Sequence, residues 1–203
     1  MKTPTKFAPG PFSKWPGVDY EHHSPFKSWN STRLTSAIEE WLTCNPPRLE
    51  LATLAFEELR DRHDDLNASM IFVDAGLEPI PWLLDAIDCV RDAFPPPVLE
   101  TQKEGKLTGS VYVMLRSGYS ADNGFYGAYV GSTKKTPEKR CLEHRTGIRS
   151  GRGLPRYGIE PLWTLFDFIN PVPVKRDRLM EWETRLHEAL AQVVPKVTGD
   201  VAF

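Results

Sequence analysis

From Ser31 onward, apolar residues recur at helical spacing. Leu34, Ala37, Ile38, Trp41 and Leu42 follow the i, i+3, i+4, i+7, i+8 pattern of an amphipathic helix. After Pro46 and Pro47 a second helix is predicted, with Leu49, Ala52, Phe56 and Leu59 on one face. The run MIFV at 70–73 is too short for its period to separate strand from helix. A further helix begins near Pro81 and sets Leu83, Ile87, Val90 and Phe94 in register, until Pro95, Pro96 and Pro97 stop it. The triple proline and the polar stretch ETQKEGKLTG then mark a boundary near residues 95–108.

Beyond that boundary the pattern becomes that of strands. VYVML (111–115) and AYVG (128–131) are β-branched and aromatic. The intervening RSGYSADNGFYG has the glycines, Asn and Asp of a hairpin loop. Thr136 followed by Pro137 is a cap and first-turn signal, which predicts a helix from Pro137 to Arg145. LWTLFDFI (162–169) reads as a third strand. The closing helix carries Leu179, Trp182, Leu186, Ala189 and Val193 as its apolar set. The expected order is β-β-α-β-α, a three-stranded antiparallel sheet flanked by helices, behind a helical module. The fold class is α+β.

Three segments follow: a Pro/aromatic extended arm over residues 1–30, an acidic helical module over 31–100, and a strand-and-helix domain over 101–203. The arm mixes five prolines with Phe7, Phe12, Trp15, Tyr20, Phe26 and Trp29, a density that excludes regular helix. It is expected to wrap its own domain or a second subunit.

The formal net charge of −2 hides an asymmetry. Residues 1–100 hold 9 basic and 16 acidic groups, whereas residues 101–203 hold 16 and 11. Lys134, Lys135, Lys139, Arg140, Arg145, Arg149, Arg152 and Arg156 fall within one short stretch, a local field that attracts polyanions. No apolar run approaches the roughly 20 residues of a membrane span. The three cysteines, Cys44, Cys89 and Cys141, show no zinc-ligand spacing and read as buried free thiols of a reducing compartment. A cytoplasmic protein is expected.

Candidate chemistry lies in the stretch YVGSTKKTPEKRCLEH. Arg140 and His144 stand one helical turn apart and so share a face. The two strands supply Tyr112 and Tyr129, and the closing helix supplies a carboxylate, Glu183 or its rival Glu181. Hydrolysis of a phosphodiester needs a base to create the nucleophile, positive charge for the non-bridging oxygens and help for the leaving oxygen. A phenol, a guanidinium, an imidazole and a metal on one carboxylate meet those needs, and one carboxylate suits a single Mg²⁺ or Mn²⁺ that keeps most of its waters.

SVY, YVG, R-x-x-x-H and E-x-x-L in this order resemble the GIY-YIG nuclease superfamily over roughly residues 107–195, with SVY for GIY and YVG for YIG. The resemblance implies a metal-dependent endonuclease acting on DNA. In it Tyr112 and Tyr129 are the motif tyrosines, Arg140 the phosphate-directed cation, His144 the residue one turn later and Glu183 the sole protein ligand of the metal. Lys134, Lys135, Lys139, Arg145, Arg149, Arg152 and Arg156 would grip phosphates. The chain departs from the family in its 17-residue tyrosine-to-tyrosine spacing and in lacking an Asn after the last helix, which leaves a phosphate-positioning role to Lys196 or Thr198. Two residues compete for the general base: Tyr112, which needs cations to lower its pKa, and His144, already poised near 6.5. An inactive nucleic-acid-binding or interaction protein and an RNA-cleaving enzyme are the alternatives. The helical module is assigned either to DNA recognition, to a protein partner or second subunit, or to covering the basic cleft.

Overall fold

A computed structural model of the chain describes residues 10–96, 108–118, 126–173 and 176–199. Residues 97–107 of the proposed boundary and the hairpin tip at 119–125 lie outside these residues. Four helices come first: α1 (Ser31–Leu42), α2 (Leu49–Asp61), α3 (Leu66–Asp74) and α4 (Leu83–Ala93). Next come β1 (Thr108–Arg116), β2 (Gly127–Thr133), α5 (Pro137–Arg145), the single turn α6 (Leu154–Tyr157), β3 (Gly158–Pro161), β4 (Val172–Pro173), α7 (Arg176–Leu190) and β5 (Val197–Gly199).

Two of the described helices open on a side-chain cap. The Asn30 side chain accepts the Arg33 amide at 2.9 Å to open α1. Thr136 and Pro137 open α5 at the residues expected. Residues 10–30 fold back through turns rather than extend, gathering Trp15, Phe26 and Trp29 around Trp41 of α1 with ring centroids 5.2 to 6.2 Å from it.

The sheet corrects two expectations. It is mixed, not purely antiparallel: the order is β3-β1-β2-β5, β2 pairs antiparallel with β1, and β5 runs parallel to β2. The two-residue β4 adds to the start of β1. The third strand is not 162–169 but the preceding Gly158–Pro161. LWTLFDFI instead forms two 3-10 turns, Trp163–Leu165 and Asp167–Ile169. Leu162, Trp163, Leu165, Phe166 and Ile169 are all buried, and so continuous an apolar run carries no period that could distinguish strand from turn.

The physical reason for the turns is a carboxylate. Glu50, in the first turn of α2, accepts both the amide and the hydroxyl of Thr164 at 2.7 Å. In return Glu160 of β3 accepts the Glu50 amide at 2.7 Å, and so caps a helix whose own N-cap, Arg48, contributes no side-chain bond. Both glutamates are buried. Burial raises the Glu50 pKa to about 7, opposed by the Thr164 bonds. Burial and then the Glu50 charge push Glu160 well above the usual carboxylate range. Arg48, also buried, is the cation whose charge opposes both shifts. The first four helices and the rest of the chain are further joined by Trp82 Nε1–H, which donates to the Tyr126 carbonyl just before β2 at 3.2 Å, and by Phe94 on Trp182 of α7 at 5.1 Å. Buried residues of both belong to one hydrophobic cluster. Among the described residues no helix is long and apolar enough to cross a membrane.

An acid with a raised folded pKa stabilises the fold fully below its unfolded pKa, and that stabilisation is lost as pH rises through the folded value. For Glu50 the window runs from about 4.5 to about 7, a loss of up to roughly 3 kcal/mol. Urea unfolding at pH 5 and pH 8 should therefore show Glu50→Gln gaining on the wild type as pH rises; parallel curves would contradict the assignment.

Candidate functional site

β1 and β2 alternate their side chains between two faces. The register pairs Tyr112 with Gly131 and Met114 with Tyr129, so both tyrosines project from the same face. Helix α5 brings His144 to that face. The Tyr112 and His144 ring centroids are 5.7 Å apart, those of Tyr129 and His144 5.3 Å, and those of the two tyrosines 6.3 Å. All three residues are buried.

Glycines make this packing fit. Gly131 lies within β2. A Cβ there would fall 2.4 Å from the Tyr112 hydroxyl, and the absent side chain is what lets the phenol lie across the neighbouring strand. Gly151 plays the same part for Tyr129, whose ring a Cβ would approach to 2.6 Å.

The hydrogen bonds fix a tautomer. The Gly151 amide donates to His144 Nδ1 at 3.0 Å, so Nδ1 is the unprotonated nitrogen and the neutral ring carries its proton on Nε2. That Nε2–H points at the Tyr112 oxygen, 2.7 Å away. Burial, and then the Arg140 charge, lower the His144 pKa to about 4. Burial, and then Tyr129, raise the Tyr112 phenol well above its ordinary value, against which Arg140 acts by charge and by a hydrogen bond.

Arg140 is held from two sides. Its Nη2 donates to the Arg149 carbonyl at 2.9 Å, and its Nη1 meets Glu143 at 3.4 Å. Arg149 adopts a left-handed φ of 46°, uncommon for a residue with a side chain, at the position whose carbonyl receives Arg140.

The structure thus brings together Tyr112, Tyr129, Arg140 and His144. Glu183 lies on a different helix, α7. It is buried on the side that carries Leu179, Trp182 and Leu186, whereas its rival Glu181 faces solvent. Among the described residues no three His, Cys, Asp or Glu side chains gather as a metal-holding set.

The basic residues divide by what they touch. Lys135 pairs with Glu143. Arg145 donates to the Gly158 carbonyl at 2.7 Å and so ties α5 to β3. Lys134, Lys139, Arg149, Arg152 and Arg156 are exposed, Arg156 with its guanidinium 5.2 Å from the Tyr157 ring. Sequence reasoning passed over Gly151, Arg116 and Tyr157. Thr198 lies on β5 beside Tyr129 and donates to the Ala128 carbonyl at 3.3 Å. Compared with known proteins, the chain matches no family model, no curated protein and no solved structure.

Two measurements check this geometry. Gly131→Ala should lose about 1–3 kcal/mol of stability through overpacking against Tyr112, read by chemical unfolding. In nitrogen-detected NMR, His144 should show the Nε2–H tautomer and titrate near pH 4. A folded pKa below the unfolded value means that its contribution to stability is lost as pH falls from about 6.5. A titration at 6.5 would contradict the burial of the ring, and a neutral ring carrying its proton on Nδ1 would overturn the tautomer assignment.

Proposed function

We propose that the chain is a metal-dependent endonuclease that hydrolyses DNA phosphodiester bonds in the manner of the GIY-YIG superfamily. The observation that carries this reading is the convergence of His144 Nε2–H and the Arg140 guanidinium on one oxygen, that of Tyr112. The resemblance of SVY, YVG, R-x-x-x-H and E-x-x-L to the superfamily's motifs supports it.

Two donors aimed at one phenol oxygen favour negative charge there. That bias opposes burial, which still holds the phenol above its ordinary value. The base is therefore the minor phenolate form that the two donors favour, which takes the proton of an attacking water and becomes the neutral phenol. His144, neutral and with its proton already on Nε2, acts as a donor that positions and polarises Tyr112 rather than as the base. Arg140, at the edge of the quartet and partly exposed, is the cation placed to meet a non-bridging phosphate oxygen. Glu183, a buried carboxylate on α7, is the residue that the resemblance assigns to hold Mg²⁺ or Mn²⁺, hard cations that bind through one or two carboxylates. Such a metal, when bound, would neutralise charge on the phosphate and assist the leaving oxygen. DNA is the proposed polyanion for the exposed lysines and arginines.

A second reading draws on burial: Tyr112 is 1% exposed and His144 wholly buried. The network then holds the fold alone, and the chain is an inactive nucleic-acid-binding or interaction protein. Incubation of the protein with supercoiled plasmid, and with an RNA of matched sequence, plus Mg²⁺ separates the readings. The nuclease reading expects plasmid cleavage, a loss of at least about 100-fold in Tyr112→Phe, and loss of cleavage with retained binding in Glu183→Gln. Intact plasmid under all conditions favours the second reading, and cleavage of the RNA alone redirects the substrate.

A further inference from the structure

Beside Tyr129 the same sheet face opens into a cleft of about 360 Å³ lined by Arg116, Tyr129, Arg152, Gly153, Tyr157 and Thr198, with Gly199 at its edge. We propose that this cleft is a nucleotide subsite, which holds the unit of the strand next to the phosphodiester being cut. The proposal rests on the nuclease reading above and adds the place where the substrate is gripped beyond the reacting bond.

Position supports it first. Tyr112, Met114 and Arg116 alternate onto one face of β1, and Tyr129 and Thr198 are register partners on β2 and β5. The cleft therefore shares Tyr129 with the quartet and lies along the same face, so a strand crossing one meets the other.

Chemistry supports it second. Among the described residues the lining holds two guanidiniums, two phenols and a hydroxyl, and no carboxylate. Guanidinium forks match phosphate oxygens, and phenol rings pack against sugars and bases. Another cleft, between α2 and the start of α4, is lined by Glu57, Glu78 and Asp85 with Arg60 paired to Glu57, a net negative wall that disfavours a phosphate. The volume, too, falls at the lower end of the roughly 300–1,000 Å³ of small-ligand sites.

Construction supports it third. The walls come from β1, β2, β5, the loop after α5 and the end of α6, and two glycines make room for the key side chains. A Cβ at Gly153, whose φ is +83°, would sit 2.8 Å from Arg116 Nη2, and one at Gly118 would sit 2.4 Å from the Tyr157 ring. Arg116 also lies 6.0 Å from the centre of that ring. A solvated arginine on an open face has no such seat.

Fluorescence anisotropy with a labelled single-stranded DNA 12-mer, in EDTA and over a range of salt concentrations, tests the proposal on the full chain. Arg152→Ala removes an exposed side chain and leaves the fold intact. It should weaken binding several-fold and reduce the slope of log affinity against log salt by about 0.7. Tyr157→Ala should weaken binding by about tenfold, and Tyr157→Phe, which keeps the ring, should restore most of it. Unchanged affinity and slope in Arg152→Ala would overturn the subsite. If Arg140→Ala weakens binding in that case, the nuclease reading survives on its own. A wild type that binds no oligonucleotide overturns the subsite, and plasmid cleavage then decides the nuclease reading separately.

Discussion

Glu160 accepts the first amides of α2 while Glu50 accepts those of the turn that follows β3, and each glutamate therefore terminates an element that its own neighbours in sequence leave uncapped. Because both carboxyls are buried beside a single arginine, the exchange joins the helical part of the chain to the sheet more rigidly than apolar packing alone, which tolerates sliding. β3 is fixed by this exchange, and β3 pairs with β1, the strand that carries Tyr112. Arg145 then draws α5 onto the end of β3, so the placement of His144 and Arg140 descends from the same tie.

Within that frame the quartet depends on small residues. Gly131 and Gly151 leave room for two phenols that would otherwise be forced off the sheet face. The loop between α5 and α6 supplies two further constraints, the Arg149 carbonyl that holds Arg140 and the Gly151 amide that holds His144. The basic, glycine-containing loop reads from sequence as a phosphate-gripping surface, yet its backbone serves the interior.

The parts legible in the sequence were those with a period or a cap. The five apolar positions of α1 and the Thr-Pro start of α5 each encode one answer locally. MIFV gave none because α3 buries Phe72 while leaving Met70 and Val73 exposed, a mixed face without clean alternation. LWTLFDFI misled because its turns are imposed by Glu50, 114 residues away at Thr164. β5 is three residues long, too short for any pattern, and exists because β2 offers it an edge. Of the site, the tyrosines, Arg140 and His144 were legible as a motif. The glycine under each ring and the direction of the His144 proton were not, since both are properties of contacts between segments.

The Gly151 amide has a reach larger than its size. One peptide group decides which nitrogen of an imidazole is bare, and thereby whether a neighbouring phenol faces a hydrogen or a lone pair. The acid–base character of the whole cluster is thus written into main-chain geometry, where no exchange of side chains at the histidine or the tyrosine could reproduce it if the loop took another path.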